Sequence, residues 1–343
     1  MAAGNCTGEV PRPNKSLYPL VKPARRCCKT LYPQSPRVAA HTQYNSIITI
    51  LFLLEMSKIA KFNSSLRSNH PLFKQLISNA PEWWRRVLQF ENAYIDIRKD
   101  NTINIYYEGA SLAKIVLAKG SVRATCHPKY LYGDNAQAYY KKGIAIYQPC
   151  EKELVRIGTE ECCLLRNAQM FYSDKEGKEV SNAEQKSEKK LQGEIVCRAK
   201  TLYIDSEFAH RYEEGSRHTI RIDLVRVVGN MIQFVELKRI QDYRLLHEDN
   251  SVVTPEIITQ IEEYRNFLKA NKDAILAYYK KLIAIKRDLG LPTASADIET
   301  LDIDTEPYLE IHNLYTHLTP QREARIAKIK AILDKHNVKY EII

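Results

Sequence analysis

Asp223, Glu236 and Lys238 are the residues whose types and spacing could do chemistry together. They lie in two neighbouring segments, Thr219–Val228 and Met231–Ile240, both rich in β-branched residues and separated only by Gly229-Asn230. Gly followed by Asn signals a two-residue hairpin, because glycine supplies the positive φ of a type II′ turn. If Val228 and Met231 close the turn, Asp223 falls opposite Glu236, with Cβ atoms roughly 4.5–5.5 Å apart. Lys238 is two residues past Glu236 and shares its face. Two facing carboxylates repel, and a divalent cation between them would reverse that penalty. The other face would carry Ile222, Leu224, Val235 and Leu237, a core surface that fixes the register. The acids and the amine are therefore expected at a solvent-accessible edge of an apolar sheet. The plainer alternative is a salt bridge, with Lys238 neutralising Glu236 or Asp223.

The elements that must position these residues can be read along the chain. From Pro71 to Gln89 the apolar spacing is helical, with Pro81 starting a second helix and Asn79 as its cap. Trp83 and Trp84 read as packing anchors rather than base-stacking platforms. Strands are expected over 94–98, 103–107, 113–118 and 122–126, with a turn at Asp100-Asn101 and Asp96 on a solvated strand face. Basic and aromatic residues interleave at 139–142, which reads as a solvated helix face in preference to a nucleic-acid contact. A helix is expected over 151–171, a polar linker or exposed helix over 173–190, and a strand over 201–210.

After the hairpin, Thr254-Pro255-Glu256 is a helix start: cap, proline at the first position, acid in the first turn. The helix runs to about Ala270 with Ile257, Ile261, Tyr264 and Leu268 buried, and Gln260 shares a face with Tyr264. A second helix spans Ala274 to Leu289 and stops at Gly290. Thr319-Pro320 caps a last helix, and Val338–Ile343 is a closing strand.

Composition is ordinary for a globular protein: 343 residues, 44% hydrophobic, 27% charged, net charge +10. Half of that charge, +5, sits in residues 1–55, so the remainder is only mildly basic, compatible with nucleic-acid binding without demanding it. Residues 1–55 read as a disordered tail or a leader translated upstream of a start at Met56, with a basic nucleic-acid-binding tail as the other reading. The apolar run Ile47–Leu54 is far short of the ~20 residues of a membrane span. None of the eight cysteines forms a Cys-x-x-Cys pair, and they read as reduced thiols of a cytoplasmic protein. No Gly-rich phosphate loop is present, so no nucleotide cofactor is expected.

The order strand, hairpin with Asp223 and Glu236-Leu237-Lys238, then helix with Gln260-x-x-x-Tyr264 resembles the PD-(D/E)XK nuclease superfamily, in its RecB-like branch. The resemblance covers roughly residues 181–343 and leaves an α+β N-terminal region, 56–180, of unknown role. The residue before the aspartate is Ile222 where the family often has proline. The resemblance implies an α/β (α+β mixed) fold: a restriction-endonuclease-like core of a mixed central sheet flanked by helices. It makes Asp223, Glu236 and the Leu237 carbonyl ligands of Mg²⁺ (or Mn²⁺), with Lys238 orienting water or stabilising charge. A further acid preceding the hairpin is expected at Glu207, with Asp205 second, and Gln260 and Tyr264 abut the site and touch DNA. No cysteine follows Cys197, so no iron–sulfur cluster is expected. The function this implies is a Mg-dependent nuclease cutting phosphodiester bonds in DNA, in defence or repair; the alternative is a non-catalytic nucleic-acid-binding or assembly protein of the same fold. The substrate structure, the oligomeric state and endo- versus exonuclease action stay open.

Overall fold

A computed structural model of the chain describes residues 59–132, 140–141, 144–145, 147–159, 161–172, 187–213, 215–246 and 254–343, all within one compact unit. The N-terminal segment 1–55, Met56 and the expected boundary near residue 180 lie outside them.

Helices α1 (Pro71–Ser78) and α2 (Glu82–Leu88) open the fold and bury Trp83 and Trp84, as their apolar spacing requires. Asn79 closes α1 instead of capping α2, whose cap position is Pro81 with no side-chain bond. Strands β1 (Ala93–Ile97), β2 (Ile103–Tyr107), β3 (Ala110–Ala118) and β4 (Ser121–Cys126) follow as an antiparallel meander. Asn101 takes the left-handed conformation (φ 61°) that the β1–β2 turn needs. After α3 (Lys129–Tyr132), β5 (Tyr140–Lys141) pairs with β6 (Ile144–Ala145), so this stretch is a ribbon and not the expected helix. β7 (Gln148–Pro149) adds a fifth strand beside β4. The expected helix over 151–171 is two, α4 (Glu151–Val155) and α5 (Cys163–Tyr172), interrupted around Gly158 at φ 84°.

The second half begins with α6 (Glu188–Arg198), capped by Ser187, whose hydroxyl accepts from Lys190 N. The β-branched segments then form β8 (Tyr203–Arg211), β9 (Thr219–Val228) and β10 (Met231–Arg239). Gly229 has φ 60°, as the tight turn between β9 and β10 demands. The long helix α7 (Glu256–Asp288) replaces the two expected helices; its single non-helical residue is Asn271, so the reading of two segments survives as a kink. Asn271 is buried and explains the kink: its Oδ1 accepts from Phe62 N at 2.7 Å, and its Nδ2 donates to Ala60 O at 3.2 Å and Phe267 O at 3.0 Å. β11 (Asp302–Ile303), β12 (Tyr308–His312), α8 (Pro320–Lys335) and β13 (Lys339–Ile342) complete the chain, with Thr319 capping α8 as read.

The second sheet has the order β13-β12-β10-β9-β8, antiparallel from β8 to β10 and parallel from β10 to β13, with β11 also against β10. The architecture is therefore mixed α/β, with two main sheets, a short ribbon and eight α-helices among the described residues. Leu224, Val235 and Leu237 pack with Leu191, Ile195 and Val196 of α6 on one face. Val225, Val227, Ile232 and Phe234 pack with Tyr264, Phe267 and Leu268 of α7 on the other. Ile222 departs from its expected face and joins the cluster on the α7 side. The alternation fails at Asp223: Ser206–Leu224 and Phe208–Ile222 pair, the Glu207–Asp223 step between them does not, and Glu207 has φ 52°.

Candidate functional site

β9 and β10 pair in the expected register, from Val228–Met231 to Leu224–Val235, and their ladder ends there. One step further, where Asp223 and Glu236 oppose each other, side chains replace backbone pairing. Asp223 Oδ2 accepts from Leu237 N at 3.0 Å, and Gln192 Nε2 of α6 donates to the Asp223 carbonyl at 2.6 Å. Lys238 Nζ donates to Glu236 Oε1 and, at 3.0 Å, to the Leu237 carbonyl. Gln260 Nε2 donates to Glu236 Oε1 at 2.8 Å and to the Tyr264 hydroxyl at 2.5 Å. That hydroxyl donates to the Arg221 carbonyl and lies 3.3 Å from Glu236 Oε2. Asp223, Glu236, Lys238, Gln260 and Tyr264 are thus brought together.

The expected solvent-accessible edge is corrected. Glu236 is 2% and Lys238 1% exposed, while Asp223 alone of the three is partly open. The cause is long-range: β12 pairs with β10 at Glu236–Leu309 and Lys238–Ile311, and α7 lays Gln260 and Tyr264 across the carboxylate. β10 is therefore an interior strand.

Burial, followed by the charge of Asp223, lifts the Glu236 carboxyl to about 8, against the opposing pull of Lys238. Burial works against the Lys238 ammonium, but Glu236, Asp223 and Glu188 outweigh it and raise its pKa. Glu188 is the group that the sequence reading missed. It opens α6, burial raises its pKa, and it interacts with Lys238, Asp223 and Arg244. The signal was Ser187-Glu188, a cap and first-turn acid inside a stretch read as a polar linker or exposed helix.

The two acids expected before the hairpin separate. Glu207 falls at the unpaired step between Ser206–Leu224 and Phe208–Ile222, and its carboxylate pairs with Lys189 of α6. Asp205 turns into another network: Arg98 Nη1 donates to its Oδ1 at 3.0 Å and Tyr279 OH to its Oδ2 at 3.1 Å. Arg98 also bonds Asp96 at 3.2 Å, and Lys286 lies 3.8 Å from Asp96. Asp96, read as solvated, is 2% exposed because its partners come from distant segments that local spacing does not reveal. Burial raises the pKa of Asp205, with Arg98 opposing it.

Among the described residues, no group of three or more His, Cys, Asp or Glu side chains is arranged to hold a metal ion. Mg²⁺ needs only one or two carboxylates with waters. Asp223 and Glu236 supply hard oxygens, and Gln260 Oε1 beside them is buried without a hydrogen-bond partner, an acceptor that a metal-bound water would satisfy. These are the oxygens that could hold a Mg²⁺ or Mn²⁺ ion; Lys238 spans the Glu236 carboxylate and the Leu237 carbonyl, and Gln260 and Tyr264 occupy the remaining Glu236 positions.

Compared with protein-family models, curated proteins and solved structures, the chain has no match.

Proposed function

We propose that the chain is a metal-dependent nuclease that hydrolyses phosphodiester bonds in DNA, with residues 181–343 a domain like the RecB-like PD-(D/E)XK nucleases. The observation that carries this reading is the convergence of Asp223, Glu236, Lys238 and Gln260 where the β9–β10 ladder opens. Asp223 and Glu236 would hold the ion; when bound, it polarises the phosphate and lowers the pKa of an attacking water. Lys238 stays protonated among three acids and offers its ammonium to the negative charge that develops on phosphate oxygen. Gln260 orients Glu236, and Tyr264 holds Gln260 in place. Glu188 adds to Glu236 and Asp223 in raising the pKa of Lys238.

The burial of Glu236 and Lys238 favours one second reading: a non-catalytic nucleic-acid-binding or assembly protein in which these two form a structural ion pair. The test is incubation of the full chain with linear, circular and single-stranded DNA and with RNA, with and without Mg²⁺ or Mn²⁺. Metal-dependent DNA cleavage is expected, reduced by about a hundredfold or more in Asp223→Ala, Glu236→Gln and Lys238→Ala while circular dichroism stays native. Undiminished cleavage in the two acid variants, or no hydrolysis alongside salt-dependent DNA binding, overturns the nuclease reading.

A further inference from the structure

Two residues of α6 reach the Glu207–Asp223 step, where β8 and β9 do not pair. Asp223 also lies past the end of the β9–β10 ladder, so neither neighbouring strand pairs with it. A backbone carbonyl released from its ladder inside a fold costs free energy unless another donor meets it. Gln192 is that donor: it is 2% exposed, and its Nε2 donates to the Asp223 carbonyl at 2.6 Å. Its Oε1 lies 3.5 Å from Lys189 Nζ, and Lys189 pairs with Glu207. A carbonyl on one side and an ammonium on the other leave the amide a single orientation, nitrogen toward Asp223. Lys189 thus holds the β8 side of the open step and Gln192 the β9 side. The helix that carries them is seated firmly. Leu191, Ile195 and Val196 pack with Leu224, Val235 and Leu237, and a Cβ on Gly193 would come 2.3 Å from Gly109 N.

We propose that Gln192 is a positioning residue: it holds the Asp223 peptide where no strand does, and so aims the Asp223 carboxylate at Leu237 N and at the ion. The aiming rests on the contacts above; its service to an ion rests on the nuclease reading. A residue outside its ladder keeps two soft dihedrals, and a rotation of the Asp223 peptide would swing its side chain away from β10. With the peptide fixed, Asp223 Oδ2 accepts from Leu237 N at 3.0 Å, which leaves Oδ1 for an ion. Mg²⁺ demands near-ideal octahedral geometry at about 2.0–2.1 Å, so a carboxylate that wanders binds it poorly. Groups that orient a metal ligand from behind are worth roughly 10–100-fold in metal affinity. The Leu237 amide, bonded to the Asp223 side chain and not to a strand partner on β9, reports on the aim directly. A contact made for stability alone would act evenly along the hairpin; a positioning contact acts at Leu237.

The test is amide hydrogen exchange of the full chain, free of metal, in the wild type and two variants. Gln192→Leu is close in size and has no donor; Gln192→Glu turns an acceptor toward the carbonyl. In both, the Leu237 amide is expected to exchange about tenfold faster or more, while Ile232 and Phe234 of the same strand keep their protection. Titration of the free chain with Mn²⁺ is expected to show binding weakened about tenfold or more. Cleavage then needs correspondingly more metal, with the rate at saturating metal close to wild type. Unchanged Leu237 exchange, equal acceleration at Ile232 and Phe234, or Mn²⁺ bound by the variants as tightly as by the wild type overturns the proposal. The two readings fail separately. Loosening confined to Leu237, in a chain that neither binds Mn²⁺ nor cleaves DNA, keeps Gln192 as the residue that aims Asp223 and removes the nuclease. Metal-dependent cleavage whose metal requirement and Leu237 exchange are both indifferent to Gln192 does the reverse.

Discussion

At the scale of single residues, Glu236 decides how the site responds to pH. Its carboxyl is lifted to about 8 in the folded protein, from 4.5. A carboxyl raised by folding contributes stability that is complete below about pH 4.5 and is lost as the pH rises toward 8. Lys238 adds nothing in that window, because its raised pKa gives up stability only above 10.5. Thermal denaturation of the wild type and Glu236→Gln is expected to diverge across pH 4.5–8, the wild type losing up to about 5 kcal/mol more than the variant at about 1.4 kcal/mol per unit. Parallel curves would show that the carboxylate is not under strain. If the two acids hold a divalent ion, Mg²⁺ restores stability at pH 8 in the wild type and has little effect on the glutamine variant.

At the scale of elements, α6 is held against the β2–β3 turn by two glycines. A Cβ on Gly109 would lie 2.0 Å from the Lys189 carbonyl oxygen, and one on Gly193 would lie 2.3 Å from Gly109 N. Gly193→Ala must push the helix away, at about 1–3 kcal/mol, and should lower cleavage as well, since α6 carries Glu188. Gly215→Ala is the contrasting control: φ is 76° but nothing lies within 4 Å, so about 1–2 kcal/mol of backbone strain is the whole cost. Equal melting temperatures for wild type and Gly193→Ala would refute the close contact.

The β9–β10 hairpin was legible in the sequence because a two-residue turn sets its register from ten residues on either side. The cap of α8 was legible for the same local reason, whereas at α7 Pro255 takes the cap position with no side-chain bond, where Thr254 was expected to cap and Pro255 to be the first helical residue. The burial of β10 was not, because its parallel partner β12 begins about seventy residues later. The break between α4 and α5 escaped periodicity because it depends on one residue of positive φ, Gly158.

At the scale of the whole molecule, one apolar cluster runs from Phe62 and Trp84 through Ile105 to Phe234 and Ile303, and Arg98 ties the first sheet to Asp205 in the second. Both tryptophans of the chain, Trp83 and Trp84, lie in the N-terminal part of this cluster, so their fluorescence reports on that half. Thermal unfolding followed by tryptophan fluorescence and by far-ultraviolet circular dichroism is expected to give one coincident transition; two midpoints more than a few degrees apart would show halves that melt separately.

The kink at Asn271 gives α7 the form of a jointed lever. One arm holds Gln260 and Tyr264 against Glu236; the other carries Tyr278 beside a cleft between the N-terminal sheet and β8, and Lys286 into the Asp96–Asp205 network. The fulcrum is pinned to the backbone of Ala60 and Phe62, and Phe62 itself lines that cleft. The backbone of Phe62 is thus bonded to the joint of the rod whose near arm steadies Glu236.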